Sequence, residues 1–198
     1  MSAPRTLLEM AGADLAPPRL AESVLLLIDA QGEYRTGRLP LEGIEPSLAA
    51  LAALLGRARR AGAAVIHVAH KGRAGGLFDR DGAGGAILAE VAPASGEAVV
   101  EKPLPNAFAG TDLAERLAAI GRKNLVVAGY QTHMCVSSTA RAALDLGYRV
   151  TIPADACATR ALPDPMGGAP LSGAAIHRHA LAELADRFAI VVPAGTLG

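Results

Sequence analysis

The sequence has no surplus of either charge. Nineteen Lys and Arg stand against nineteen Asp and Glu in 198 residues, a formal net charge of zero. That excludes the strongly basic face of a nucleic-acid-binding protein. There is no Trp, and only three Phe and three Tyr, which excludes aromatic platforms for stacking bases. Two cysteines, Cys135 and Cys157, are too few for a disulfide scaffold and fit a reducing, cytoplasmic setting. No apolar run approaches the roughly 18 residues of a membrane span. The N-terminal stretch MSAPRTLLEMAGADLAPPRL lacks the long apolar run and cleavage pattern of a signal peptide. What is present is a large apolar fraction, 51%, enough for one domain with a disulfide-free core. The expected organisation is a single domain over 1–198 with residues 1–20 as an N-terminal arm.

Apolar runs recur at Val24–Ile28, Ala64–His70, Ala98–Val100, Leu125–Gly129, Tyr148–Ile152 and Phe188–Val192. Most are continuous rather than alternating, which predicts parallel strands covered on both faces. Helical spacing fills the gaps. Ile44–Ala61 places Leu48, Leu51, Leu54 and Leu55 on one face and stops at Gly62. Thr111–Ile120 stops at Gly121, His133–Leu146 stops at Gly147, and Ser172–Arg187 carries Ile176, Leu181 and Leu184. Strands alternating with helices predict a three-layer α/β/α sandwich around a mainly parallel sheet. The glycine-rich stretch Gly72–Gly85 matches no phosphate-binding motif and reads as a mobile loop, a candidate lid after the second strand. No charged cluster in it, or in the loop after Asp155, announces a ligand.

Loops at the carboxyl ends of parallel strands build the ligand site in such sheets. Asp29 closes the first strand, His70 the second, Lys102 follows the third, Cys135 lies just past the fourth, and Asp155 follows the fifth. Asp29, Lys102 and Cys135 have complementary chemistry. A helix N-terminus and a nearby ammonium would lower the thiol pKa and favour thiolate. A buried Asp beside the thiol would accept its proton and return it to a leaving amine.

The strings LLLIDAQGEY, EKPLPNAFAGTDL and LVVAGYQTHMCVSSTARAALDLGYRVTIPADACAT closely resemble the isochorismatase-like cysteine hydrolases, which include nicotinamidases and N-carbamoylsarcosine amidases. The resemblance runs from about Leu20 to Val192. It implies a six-stranded sheet in the order 3-2-1-4-5-6 and a catalytic triad of Asp29, Lys102 and Cys135. It also implies a cis peptide at Tyr130–Gln131, an oxyanion hole of the Gln131 and Cys135 backbone N–H groups, and at least a dimer. Isochorismatases of the siderophore-linked branch typically lack the cysteine, so Cys135 points away from isochorismate. Nicotinamidases hold a metal through an Asp and two His. Here His67 and His70 lie three apart on a strand, and His177 and His179 two apart on a helix, so neither pair faces one ion. The expectation is therefore no metal and no cofactor, with hydrolysis of a small carboxamide or related C–N substrate through a thioester.

Around this triad, Gln31, Glu33, Phe108 and Tyr130 are candidates for the substrate pocket, Phe108 as an aromatic wall. His133, two residues before Cys135, reads as a cap or surface residue rather than a dyad partner, and Cys157 as an inert buried thiol. The rival readings are a nicotinamidase-type or isochorismatase-type hydrolase, a thiol redox sensor using Cys135 and Cys157, and a non-catalytic binding protein. No nucleic acid or membrane partner is expected.

Overall fold

A computed structural model describes residues 3–198; the first two residues of the expected arm lie outside it. The strands are β1 (Ser23–Ile28), β2 (Ala64–His70), β3 (Ala98–Lys102), β4 (Asn124–Tyr130), β5 (Arg149–Pro153), β6 (Cys157–Ala158) and β7 (Ile190–Val192). The helices are α1 (Leu7–Met10), α2 (Ile44–Arg60), α3 (Leu113–Ile120), α4 (Ser137–Asp145) and α5 (Gly173–Arg187). The sheet order is β3-β2-β1-β4-β5-β7, with all pairs parallel. The short β6 pairs with the end of β4, where Gly129 faces Cys157.

The continuous apolar runs are explained by cores on both sides of the sheet. Alternate side chains of one strand enter opposite cores, as the period of two demands. Leu25 and Leu27 pack with Leu48, Leu51, Leu54 and Leu55 of α2. Val24, Leu26 and Ile28 pack with Leu113 and Leu117 of α3, Ala140 and Ala143 of α4, and Leu184 of α5. Every residue of β1 is buried, so this strand has no side that tolerates a polar group without a partner.

Several boundaries differ from expectation, each for a local reason. The expected helix from His133 begins instead as a single π-turn, Thr132–Val136, that becomes α-helical at Ser137. The last strand starts at Ile190, because Phe188 serves as the C-cap of α5. The N-terminal arm contains α1, closed by a capping box in which Thr6 accepts from the Glu9 amide and the Glu9 carboxylate accepts from the Thr6 amide. The stretch expected to be a mobile lid is tied down. The Gln31 side chain donates to Gly85 O at 2.8 Å, the Glu33 amide donates to Gly84 O at 2.8 Å, and the Gly72 amide donates to Phe78 O at 3.0 Å. Among the described residues, no helix is long and apolar enough to cross a membrane.

Candidate active site

The order reverses direction at β1, which lies between β2 and β4. The carboxyl ends of β1, β3 and β4 therefore open on the same crevice. Asp29 follows β1 with φ of 48°, a left-handed conformation that Asp adopts more readily than most residues. Its amide donates to Val68 O and its carbonyl accepts from the Gln31 amide, both at 2.8 Å, which fixes the turn. Gly129 is required where β4 meets β1: its φ is 113°, and a Cβ there would run into the Ile28 carbonyl oxygen. The next peptide bond, Tyr130–Gln131, is cis.

Lys102 is the last residue of β3 and is fully buried, as is Asp29; Cys135, in the π-turn, is 4% exposed. Lys102 Nζ lies 2.7 Å from Asp29 Oδ2, 3.3 Å from Cys135 Sγ and 3.4 Å from His70 Nδ1. An ammonium has three donors and no acceptor. Each of these neighbours can therefore take one proton, and His70 must present an unprotonated Nδ1, with its hydrogen on Nε2. The register makes the last contact inevitable, since His70 faces Lys102 across β2 and β3. Burial, reinforced by the Lys102 charge, holds the His70 imidazole below its usual range, consistent with the neutral ring.

The electrostatics bear on the expected state of the thiol. Burial, and then the charge of Asp29, pushes the Cys135 thiol up to about 12, although Lys102 opposes the shift. Burial thus opposes the ionisation expected from a helix terminus and an ammonium. Burial also raises the Asp29 carboxyl, against the pull of Lys102, which makes it a stronger base than a solvated carboxylate.

The neighbours are placed as follows. Gln31 does not present its amide to the crevice. Its oxygen accepts from the His70 amide at 2.8 Å, and its nitrogen donates to His70 O at 3.0 Å and to Gly85 O. Glu33 accepts from the Arg38 amide at 2.6 Å, and its carboxylate fills the space where a Cβ on Gly84 would stand. Both side chains thus order the loop instead of standing free for a substrate. The Tyr130 hydroxyl bonds Ser47 at 3.1 Å in the core on the α2 side, so only its backbone belongs to the crevice. Phe108, half-buried, packs on the core that contains Cys135 and stacks on Tyr148 at 6.4 Å. His133 Nδ1 lies 2.6 Å from the Thr159 hydroxyl, pinning the π-turn to the segment after β6. Cys157 is buried, and that burial pushes its thiol up to about 12.

Two further residues, Tyr34 and Arg160, are not among the site candidates read from the sequence. Tyr34 is buried and packs edge-on against Phe78 at 5.0 Å and Tyr130 at 6.0 Å. Burial, then the charges of Asp29 and Cys135, holds its phenol above the usual range, and its hydroxyl lies beside the Gln131 side chain. Arg160 carries a buried Nε with no partner among the described residues, and its charge reaches Tyr34 and His133. Spacing from Asp29 was the one signal for Tyr34; Arg160 had none, because its role depends on where the segment after β6 falls. Among the described residues, no three His, Cys, Asp or Glu side chains are grouped to hold a metal ion. His67 Nε2 instead pairs with Glu97 Oε2 at 2.8 Å, and His177 Nδ1 with the Thr132 hydroxyl at 2.8 Å.

A buried Asp, Lys and Cys gathered at the carboxyl ends of a parallel sheet suit the chemistry of a cysteine hydrolase, and comparison with known proteins places the chain among hydrolases. Residues 23–195 match the isochorismatase domain model, and the chain belongs to the isochorismatase family, whose members are hydrolases. It is 41% identical to a secreted isochorismatase effector of Verticillium dahliae over 89% of this chain and 92% of that protein. It is 30% identical to the ureidoacrylate amidohydrolase of Stutzerimonas stutzeri, over 70% of each chain. The crystal structure of an isochorismatase from Pseudomonas putida KT2440 is 42% identical and superposes with a TM-score of 0.94, over 99% of this chain and 100% of that one.

Proposed function

We propose that this hydrolase cleaves a small carboxamide or related C–N substrate through a thioester on Cys135. The observation that carries the reading is the single buried ammonium of Lys102 touching both Asp29 and Cys135. Asp29 takes the thiol proton as sulfur attacks the carbonyl carbon. The backbone N–H groups of Gln131 and Cys135, at the start of a helix where amides lack intrahelical partners, receive the oxyanion. As the tetrahedral intermediate collapses, the C–N bond breaks and Asp29 returns its proton to the departing amine. Water then attacks the thioester with Asp29 again as base, and the acid leaves as the thiol is restored. Lys102 keeps its proton throughout, holding carboxylate and sulfur in register. The amidohydrolase name of the Stutzerimonas relative supports a C–N substrate.

Ammonia release across nicotinamide, carbamoyl compounds and aliphatic amides, with isochorismate included, tests the reaction class. At least one amide is expected to turn over, and Cys135→Ala to release nothing. Intact-mass detection of an acyl adduct on the wild type identifies the thioester. Cleavage of isochorismate alone overturns the reading. A cytoplasmic location and an assembly of at least two copies belong to the same proposal. The unpaired cysteines support the first, while the word secreted describes the Verticillium protein. Fractionation and light scattering test them.

A further inference from the structure

A basic recess opens against His70. Its volume is about 750 Å³, and Arg38, His70, Lys71, Arg73, Leu77 and Pro103 stand in its wall. No carboxylate is among the residues that line it. The acidic side chains nearby are engaged elsewhere. Glu101 accepts from Lys71 at 2.8 Å and from Arg80 at 3.1 Å. Asp79 accepts from the Gly75 and Asp81 amides, and Glu33 from the Arg38 amide. Two cations are left without close counter-charge. The Arg38 guanidinium comes no nearer than 4.0 Å to Glu33, and Arg73 forms no ion pair among the described residues.

The cluster is invisible along the chain because two loops assemble it. Arg38 arrives from the turn after β1, and Arg73 from the tethered loop after β2. Guanidinium groups bind carboxylate or phosphate oxygens through paired donors, and charge of one sign along a concave wall raises the local field. The recess also lies one residue away from the buried trio. Pro103 follows Lys102 directly, and His70, which lines the recess, has its Nδ1 3.4 Å from the same ammonium that lies beside Cys135 Sγ.

We propose that this recess is an oxyanion subsite, and that the amide cleaved at Cys135 carries a carboxylate, several bonds from its scissile carbonyl, held by Arg38 and Arg73. The inference rests on the thioester reading above. The monoamides of succinic, glutaric and adipic acids, each beside its neutral diamide, test it. Wild-type kcat/KM is expected to favour the best monoamide by about tenfold or more, with the gap narrowing as salt screens the arginines. Arg38→Gln with Arg73→Gln is expected to erase the preference through KM and to leave turnover of the diamides unchanged. Equal use of acid and diamide by the wild type overturns the proposal. So does a preference that survives the double substitution but disappears in Arg160→Gln, which would put the anion at Arg160.

If no amide is cleaved, the thioester reading fails and equilibrium binding still decides the subsite. Glutarate titrated calorimetrically into Cys135→Ala protein is expected to bind, and to lose binding when both arginines are replaced. No binding, or binding indifferent to the arginines, overturns the subsite. Inorganic phosphate binding more tightly than glutarate overturns the choice of carboxylate.

Discussion

One nitrogen atom organises the chemistry. Lys102 Nζ has Asp29, Cys135 and His70 around it, so in the proposed reaction its role is to hold rather than to react. In the proposed reaction Asp29 is the group that moves protons. Asp29→Asn preserves shape but cannot accept the thiol proton, so kcat is expected to fall by about 10²–10⁴ while the circular dichroism spectrum is retained. A loss smaller than about tenfold places the base elsewhere. The pH profile follows from the same site. The carboxyl must be ionised to act, and burial raises it, so the acidic limb of kcat/KM is expected above the ordinary carboxylate range. The thiol is pushed up to about 12, so no second rise is expected near the ordinary thiol value of about 8.5. A rising limb there would mean that a resting thiolate is the nucleophile.

Single polar side chains lock the elements to one another. Glu97, ahead of β3, accepts from Arg59 of α2 at 2.8 Å, meets His67 of β2 at 2.8 Å, and accepts from the Ala94 amide at 2.8 Å. The Arg59 bond, with help from the Ala94 amide and His67, draws its carboxyl down to about 2. A carboxyl lowered on folding stabilises the protein above its unfolded value of about 4.5, and that support is lost as pH falls towards about 2. Burial lowers His67 despite the pull of Glu97, which adds a second loss on acidification below about 6.5. Glu97→Gln is expected to cost about 1–3 kcal/mol at neutral pH and to flatten the acid limb of a urea-midpoint against pH curve. An unchanged curve would mean that the three contacts are not maintained in solution. At this scale the sequence was partly legible. The strand ends Asp29, Lys102 and Cys135 stood out because continuous apolar runs fix where parallel strands stop. The tethered loop did not, because Gln31 reads as any loop glutamine until its amide is seen bridging His70 and Gly85. The environment of the thiol was legible only in part, because position at a helix start is visible along the chain, whereas depth of burial is a property of packing.

Across the whole molecule, the C-terminal residue meets the segment just ahead of β1. The Leu20 amide donates to Gly198 O at 2.8 Å, Arg57 of α2 donates to Ala194 O at 2.7 Å, and Leu197 is 1% exposed in the core on the α2 side. The C-terminal residues are therefore a plug beneath α2, and Leu197→Ala is expected to cost about 2–5 kcal/mol and to lower Tm by several degrees. A shift of less than a degree in calorimetry would show the tail to be detached. The buried thiol has an implication for durability. Peroxide attacks exposed thiolates, and a sulfur that is 4% exposed, with burial pushing its thiol up, gives an oxidant little to attack. In the proposed reaction the carboxylate at its side activates it only for an electrophile small enough to enter, so the same burial that shelters the sulfur would also select what can wake it.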